Sequence, residues 1–565
     1  MTPLSPLTMT ALFERSIREF AERPALSYAG EPSMTYSEFG EQVRLCSAVL
    51  KERGVVQGDR IAIIGESSPS WAIAYFAATT MGCIAVPILP DFHESEILHI
   101  IRHAECSAVF VSERSAAKLE ELDRSSYAAF ILLDTMSLIE NSKQSVSLKQ
   151  VISNGSRELK RIRSMALRFV GRAPEAPKED DVAALIYTSG TTGHSKGVML
   201  THRNIVWNAQ ASIHIPPMVP DDRLLSILPL AHVYECTLGL VIPILTGASI
   251  AYLRKPPTPA VLLPALAAVK PTIMLVVPLV IEKIYKTKVL PQIRKGMIGK
   301  TLFTVPFFRK KFHAIAGKKL RVMFGGSMKF FGVGGSALAP EVELFLKEAH
   351  FPYAIGYGMT ETSPLIAGSP PPIQRYRAIG PVVPGLEVKI DRPDPSSGIG
   401  EILVKGPSVM KGYYKDPERT AEVLSADGWL RTGDLGSFDE DGHLSIRGRV
   451  KNVILGPSGE NIYPEAVESV INRADYVLES LVYDEGGSLV ARVFLDYEAI
   501  DRDLSASGAS QSKTRERIVA LLDALKADVN AQLSAFSRIS RVIEQTEPFE
   551  KSPTAKIKRY LYVSH

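Results

Sequence analysis

The sequence predicts an α/β protein of more than one domain, built mainly on parallel sheets. Three observations predict it. The chain has 565 residues, more than one hydrophobic core organises, so two or more domains are expected. Through residues 1 to about 180, short apolar runs alternate with amphipathic stretches, the pattern of β–α units on parallel strands. The composition, 45% hydrophobic and 22% charged, is that of a soluble globular protein.

Taken in order, residues 36–53 carry apolar side chains at helical spacing and precede a strand at residues 60–65 (RIAIIG). Residues 67–90 hold no charge and are long enough to raise a membrane span. Gly82 divides them, however, and a buried helix at 71–81 followed by a strand at 83–88 is expected instead. Residues 94–103 (ESEILHIIRH) read as a helix and 108–112 (AVFVS) as a strand. Residues 157–172 hold six Lys/Arg and one acid, either a solvated helix face or a basic surface for anionic lipid. Residues 182–186 (VAALI) read as a buried strand, and the apolar run 238–253 is broken by Pro243 and Gly247. Near the end, the Ser-rich stretch 501–514 is expected to be a mobile loop, and residues 516–536 a helix.

Net charge is +4, too mild to argue for nucleic acid, and no zinc-finger or RNP-type motif occurs. Cys46, Cys83, Cys106 and Cys236 are scattered without CxxC spacing, which fits a reducing, cytoplasmic compartment. The N-terminal residues lack a basic start followed by an apolar core, so no signal peptide is expected.

The chain is organised around residues 187–200, YTSGTTGHSKGVML. Thr188, Ser189, Thr191 and Thr192 crowd around Gly190 and Gly193, with Lys196 close behind. Such a loop gathers backbone N–H groups, hydroxyls and an ammonium, which suits a polyphosphate. The spacing from glycine to lysine is not that of G-x-x-x-x-G-K-[ST], so it does not report an ordinary P-loop ATPase or phosphotransferase.

Other clusters follow. In 225–235 (LSILPLAHVYE), Pro229 ends a strand before His232 and Tyr234. Residues 283–321 hold twelve Lys/Arg and no acid, interleaved with large apolar side chains. That mixture suits either an anionic membrane surface or a helical subdomain with a basic outer face. In 330–338 (FFGVGGSAL), Gly334 and Gly335 permit close approach of a flat group or an acyl chain. In 355–364 (IGYGMTETSP), Tyr357 can stack on a purine, Thr360 can reach a phosphate and Glu361 can hold Mg²⁺ through a hard oxygen. Asp434 in 427–435 (DGWLRTGDL) can accept from ribose hydroxyls, and Arg449 supplies a second ribose or phosphate contact.

These motifs, with the segment 400–414 (GEILVKGPSVMKGYY) and the ending 547–560 (EPFEKSPTAKIKRY), occur in one order along nearly the whole chain. Together they resemble the adenylate-forming superfamily of acyl-CoA synthetases, luciferases and peptide-synthetase adenylation domains. The fatty-acyl signature region at 427–454 and the P-T-x-K-x-K-R ending look like its long-chain fatty-acyl-CoA synthetases. The resemblance implies a large multi-subdomain N-terminal domain (1–450) binding AMP and a small mobile α+β C-terminal domain (451–565). It implies adenylation of a long-chain fatty carboxylate by ATP, then transfer of the acyl group to the CoA thiol. The loop from Thr188 to Lys196 would hold phosphates, with Gly335, Ser336, Tyr357, Gly358, Thr360, Asp434 and Arg449 completing the nucleotide site. Glu361 and Thr188 would hold Mg²⁺, and Lys556, Thr360 and Glu361 would be catalytic. His232, Tyr234 and Gly334 would line the acyl pocket, Lys451 would be the hinge, and Gly459 would let the pantetheine arm pass. Lys556 stands after Ala555 where the superfamily commonly has glycine, and Asn452 replaces the Asp common after the hinge.

Two rival readings remain. The acceptor could be the phosphopantetheine of an acyl carrier protein, chemically the same arm as in CoA. Alternatively, the protein could be a non-catalytic lipid-binding derivative of the fold, against which stand Thr360, Glu361, Asp434, Arg449 and Lys556. The basic insertion predicts peripheral contact with anionic membrane, placing the protein at the inner face of a membrane.

Overall fold

A computed structural model gives the architecture; it describes residues 4–139, 145–147, 175–188, 195–293, 301–456, 460–505, 511–551 and 557–563. The protein is α/β, and its contacts divide the chain into two compact units. The first comprises Met1–Ala337, Phe345–Glu387 and Val404–Leu430; the second comprises Leu338–Leu344, Val388–Leu403 and Arg431–His565.

The first unit is built on two large sheets. In the nine-stranded sheet, Ile84–Ile88, Arg60–Ile64, Cys106–Val111 and Ala129–Leu132 run parallel, with Val182–Thr188 parallel to Ile84–Ile88. Lys196–Thr201 then pairs antiparallel to Val182–Thr188, and Gly412–Tyr413 antiparallel to Lys196–Thr201 at the sheet's edge. The eight-stranded sheet places Phe330–Val333 between Ile273–Val276 and Tyr353–Gly358, all three parallel. Strands buried on both faces read as continuous Val/Ile/Ala runs rather than alternations. Arg60–Ile64, with four of five residues buried, shows why RIAIIG carries no polar residue beyond its first.

The uncharged stretch 67–90 resolves as a helix, Pro69–Thr80, and a strand, Ile84–Ile88. Gly82 turns the chain between them at φ 74°. Helix residues Trp71 to Thr79 are all buried, which accounts for a sequence that is apolar all round. Among the described residues, no helix is long and apolar enough to cross a membrane. All four cysteines are free and buried.

The second unit carries most of a four-stranded sheet (Glu387–Asp391, Gly400–Lys405, Leu430–Phe438, Leu444–Arg449) and a three-stranded one (Val477–Glu485, Ser488–Leu495, Arg541–Gln545). Its apolar core includes Val467, Ile471, Val493, Ile500, Ile518, Leu525 and Val529. The stretch 501–514 is not the expected loop throughout. The helix Tyr497–Ser505 enters it and the helix Gln511–Asn530 begins within it. Serine content suggested a loop, but Ile500, Ile518, Leu525 and Val529 supply the buried stripes that hold both helices. The basic stretch 157–172 lies outside the described residues.

Candidate active site

The site grows from the hairpin Val182–Thr188 and Lys196–Thr201, which flanks the glycine-rich loop expected to hold phosphates. Thr188 and Lys196 are directly opposite each other in its antiparallel register, so both ends of the loop start from one cross-strand pair. Ser189, Gly190, Thr191, Thr192 and Gly193 lie outside the described residues. The helix Glu94–His103 holds the loop's two flanks. His103 Nδ1 and Tyr187 Oη are hydrogen-bonded at 2.7 Å, and Ser195 Oγ donates to Glu96 Oε1 at 2.6 Å. Neither anchor was foreseen, because each pairs residues about a hundred positions apart or nearly so.

The segment 355–364 forms the strand Tyr353–Gly358 and a single 3₁₀ turn, Thr360–Thr362. Asn208, in the helix His202–Ser212, clamps it: its amide donates to Leu365 O at 2.9 Å and accepts from Leu365 N at 3.2 Å. Ser363 Oγ donates to Ser408 O at 3.0 Å. Gly358 is obligatory, since a Cβ there would stand 2.0 Å from Pro364 O. This bracing presents Thr360 and Glu361 on a fixed turn, as a site that orients charged groups needs.

Glu361 is buried, and Tyr413 Oη donates to its Oε1 at 2.9 Å. Lys196 Nζ in turn donates to Tyr413 Oη at 3.3 Å and lies 4.4 Å from the ring centroid. Burial first, and then the Glu361 charge, push the Tyr413 hydroxyl well above the usual phenol range, so it stays a proton donor. Among the described residues no three His, Cys, Asp or Glu side chains cluster as a metal site. One buried carboxylate with threonine hydroxyls is still a fitting donor set for Mg²⁺, which takes its remaining oxygens from phosphates and water.

A cavity opens beside this turn, with room of about 60 Å³ for water centres. His232, Tyr234, Gly334, Gly335, Tyr357, Gly358 and Thr360 line it, so the structure gathers these seven sequence candidates around one space. Leu238, Leu275, Val333 and Ile355 make the rest of the wall largely apolar. Tyr234 Oη donates to Gly332 O at 3.1 Å, and a Cβ on Gly334 would lie 3.1 Å from the Tyr234 ring. The glycines therefore accommodate that ring. His232 Nδ1 accepts from Tyr234 N at 3.2 Å, which fixes the turn before the ring. Gly335 adopts φ 88°, a left-handed conformation, and Ser336 follows it, exposed.

In the second unit, Asp434 and Arg449 are cross-strand partners, with Arg449 Nε 2.7 Å from Asp434 Oδ1. Asp434 is buried and Arg449 about half exposed, so the pair presents a fixed carboxylate with a guanidinium over it. Lys451 sits in the 3₁₀ turn Val450–Asn452. Asn452 Nδ2 donates to Glu465 Oε1 at 2.5 Å, a bond that an aspartate, lacking a donor, would not make there at neutral pH. Gly459 and Lys556 lie outside the described residues.

Residues 13–414 match the family of AMP-binding enzymes. The long chain acyl-CoA synthetase 6 of Arabidopsis thaliana, a peroxisomal protein, is 32% identical across 93% of this chain and 79% of its own length. A long-chain-fatty-acid–CoA ligase of Mycobacterium bovis is 29% identical across 93% of this chain and 90% of its own. The ATP-bound crystal structure of MatB from Rhodopseudomonas palustris shares the fold with a TM-score of 0.74 and 24% identity, over 98% of both chains. The family match over residues 13–414, with 32% identity to a relative across 93% of the chain, shows that the protein belongs to the AMP-binding enzyme family, the adenylate-forming superfamily its sequence resembles.

Proposed function

We propose that this protein is an ATP-dependent long-chain fatty acid–CoA ligase. The observation that carries the reading is the 32% identity, over 93% of the chain, to a protein named a long chain acyl-CoA synthetase. The apolar cavity beside Thr360 supports an acyl group there. In the first step the carboxylate attacks the α-phosphate of ATP, giving acyl-AMP and pyrophosphate. Two anions must meet, so the protein's work is positioning and charge neutralisation. Lys196 and the loop from Thr188 hold the terminal phosphates, and Lys556 neutralises charge between carboxylate and α-phosphate. Glu361, with Thr188, would hold Mg²⁺, which supplies charge neutralisation at phosphate oxygens. Asp434 and Arg449 bind the ribose. In the second step the CoA thiol attacks the acyl carbon and AMP leaves, with Lys451 as hinge, residues 451–565 as the moving domain and Gly459 beside the pantetheine arm.

Peripheral membrane contact at a cytoplasmic face belongs to the same reading. It is supported by exposed Phe307, Phe308, Ile315 and Val322 among the lysines of the helix Pro306–Met323.

Mass spectrometry of products from purified protein, ATP, Mg²⁺ and palmitate tests the reading. Palmitoyl-CoA and AMP are expected when CoA is present, and palmitoyl-AMP when it is not. Palmitoyl-AMP that never reaches CoA would replace CoA by a carrier-protein acceptor. No adenylate from palmitate would mean either a different carboxylate or the non-catalytic lipid-binding reading, and a panel of shorter and aromatic acids separates the two.

A further inference from the structure

We infer that Tyr413 is a positioning residue that sets Glu361 and Lys196 for MgATP, acting through its hydroxyl. The inference rests on the adenylation reading above and concerns a side chain to which that reading gives no role.

Three features place the hydroxyl. Tyr413 is paired with Val198 at the sheet's edge. Lys196 lies two residues before Val198 in the same strand, hence on the same face as the tyrosine. Lys196 Nζ then reaches both the ring, at 4.4 Å from its centroid, and the hydroxyl, at 3.3 Å. Second, the short segment before Tyr413 grips Glu361 at its backbone as well: Met410 N donates to Glu361 O at 2.9 Å. Third, the segment itself is pinned. Tyr413 N donates to Thr420 Oγ1 at 2.9 Å, and Gly412 adopts φ 142°, where an added Cβ would lie 2.9 Å from Thr420 Cγ2.

One hydroxyl thus donates to the carboxylate and accepts from the ammonium. A carboxylate has two oxygens and an ammonium three donors, so a single hydroxyl engages only part of either. The positions of Glu361 and Lys196 are thereby tied to one rigid ring.

The test compares wild type, Tyr413→Phe, Glu361→Gln and the double variant. Each is titrated calorimetrically with a non-hydrolysable ATP analogue, with and without Mg²⁺. Phenylalanine keeps the ring against the Lys196 ammonium and removes only the hydroxyl. Y413F is expected to weaken the Mg²⁺-bound analogue about tenfold, as loss of a hydrogen bond to a charged group does. Binding of the Mg²⁺-free analogue should weaken less. The same tenfold loss should appear in the adenylation half-reaction and not in thiolation of supplied acyl-AMP. In the E361Q background the Phe substitution should cost nothing further, since the two act as one unit. Unchanged MgATP affinity in Y413F, losses that simply add in the double variant, or a Y413F protein that does not fold would each overturn the assignment. A wild type that binds no MgATP analogue would overturn the adenylation reading together with it.

Discussion

Glu235 has no exposed surface, accepts from Ser226 Oγ at 2.5 Å through Oε1, and leaves Oε2 without a hydrogen-bond partner among the described residues. Burial pushes its carboxyl up to about 8, against the weaker opposing pull of the Ser226 bond. Gly239 makes room for it, since a Cβ there would lie 2.6 Å from the Glu235 carboxyl carbon. Between the usual carboxylate range and about 8, the folded protein holds a proton that the unfolded chain has released. Stability from this site is therefore greatest in acid and declines as pH rises toward 8. Glu235→Gln should remove that decline, raising the thermal midpoint relative to wild type at pH 8 and doing little at pH 4.5. A wild-type advantage that grows with pH would contradict a neutral Glu235. At this scale the sequence was a partial guide. YGMTETSP and LPLAHVYE marked Glu361, His232 and Tyr234, whose chemistry is local to a motif. Asn208, Tyr413, Glu96 and His103 act through partners distant in sequence, and nothing in their own neighbourhoods announces this.

The helix Pro306–Met323 shows how an element can carry two faces. His313, Gly317 and Leu320 turn inward, and Arg309 and His313 both bind Glu348, at 2.8 and 2.7 Å. Gly317 permits that packing, because a Cβ would stand 2.6 Å from Ala349 Cβ. The outward face has Phe308, Ile315 and Val322 at seven-residue steps, 38%, 56% and 75% exposed, with Lys311, Lys318 and Lys319 beside them. A bilayer with anionic headgroups satisfies both kinds of side chain together. Wild type should co-sediment with phosphatidylserine-containing vesicles at low salt and be released as salt rises. Phe308→Ser with Ile315→Ser should weaken binding at least about tenfold, the scale of two apolar side chains left in water. Because both side chains are exposed, the fold should be kept. Binding that is absent in wild type, or indifferent to these substitutions, would remove the membrane from the proposal. The sequence disclosed the basic and apolar mixture. Which residues share the outer face followed only from where His313 and Leu320 dock.

At the scale of the molecule, the two units carry different parts of the proposed chemistry. The phosphate-loop flanks, Glu361 and the cavity belong to the first, and Asp434, Arg449 and Lys451 to the second. Lys556 is assigned to the first half-reaction alone. Lys556→Ala should lower ATP–pyrophosphate exchange by about a hundredfold or more, the usual loss when one charge-stabilising group is removed. Thioester formation from supplied acyl-AMP and CoA should be largely spared. Equal loss in both assays would end that assignment.

The α/β class, the glycine-rich loop between Thr188 and Lys196, the acidic turn that follows and their order along the chain are legible in the sequence. These depend on short-range periodicity, glycine requirements and side-chain chemistry, all of which are written locally. Tertiary structure alone decided that Thr188 and Lys196 face each other across a hairpin. The same packing joins Lys196 to Glu361 through Tyr413, sets the Tyr234 ring in the space left by Gly334, and makes residues 501–505 and 511–514 helical. Each of these depends on which surfaces are buried against each other, and burial is a property of the packed chain rather than of any segment in it.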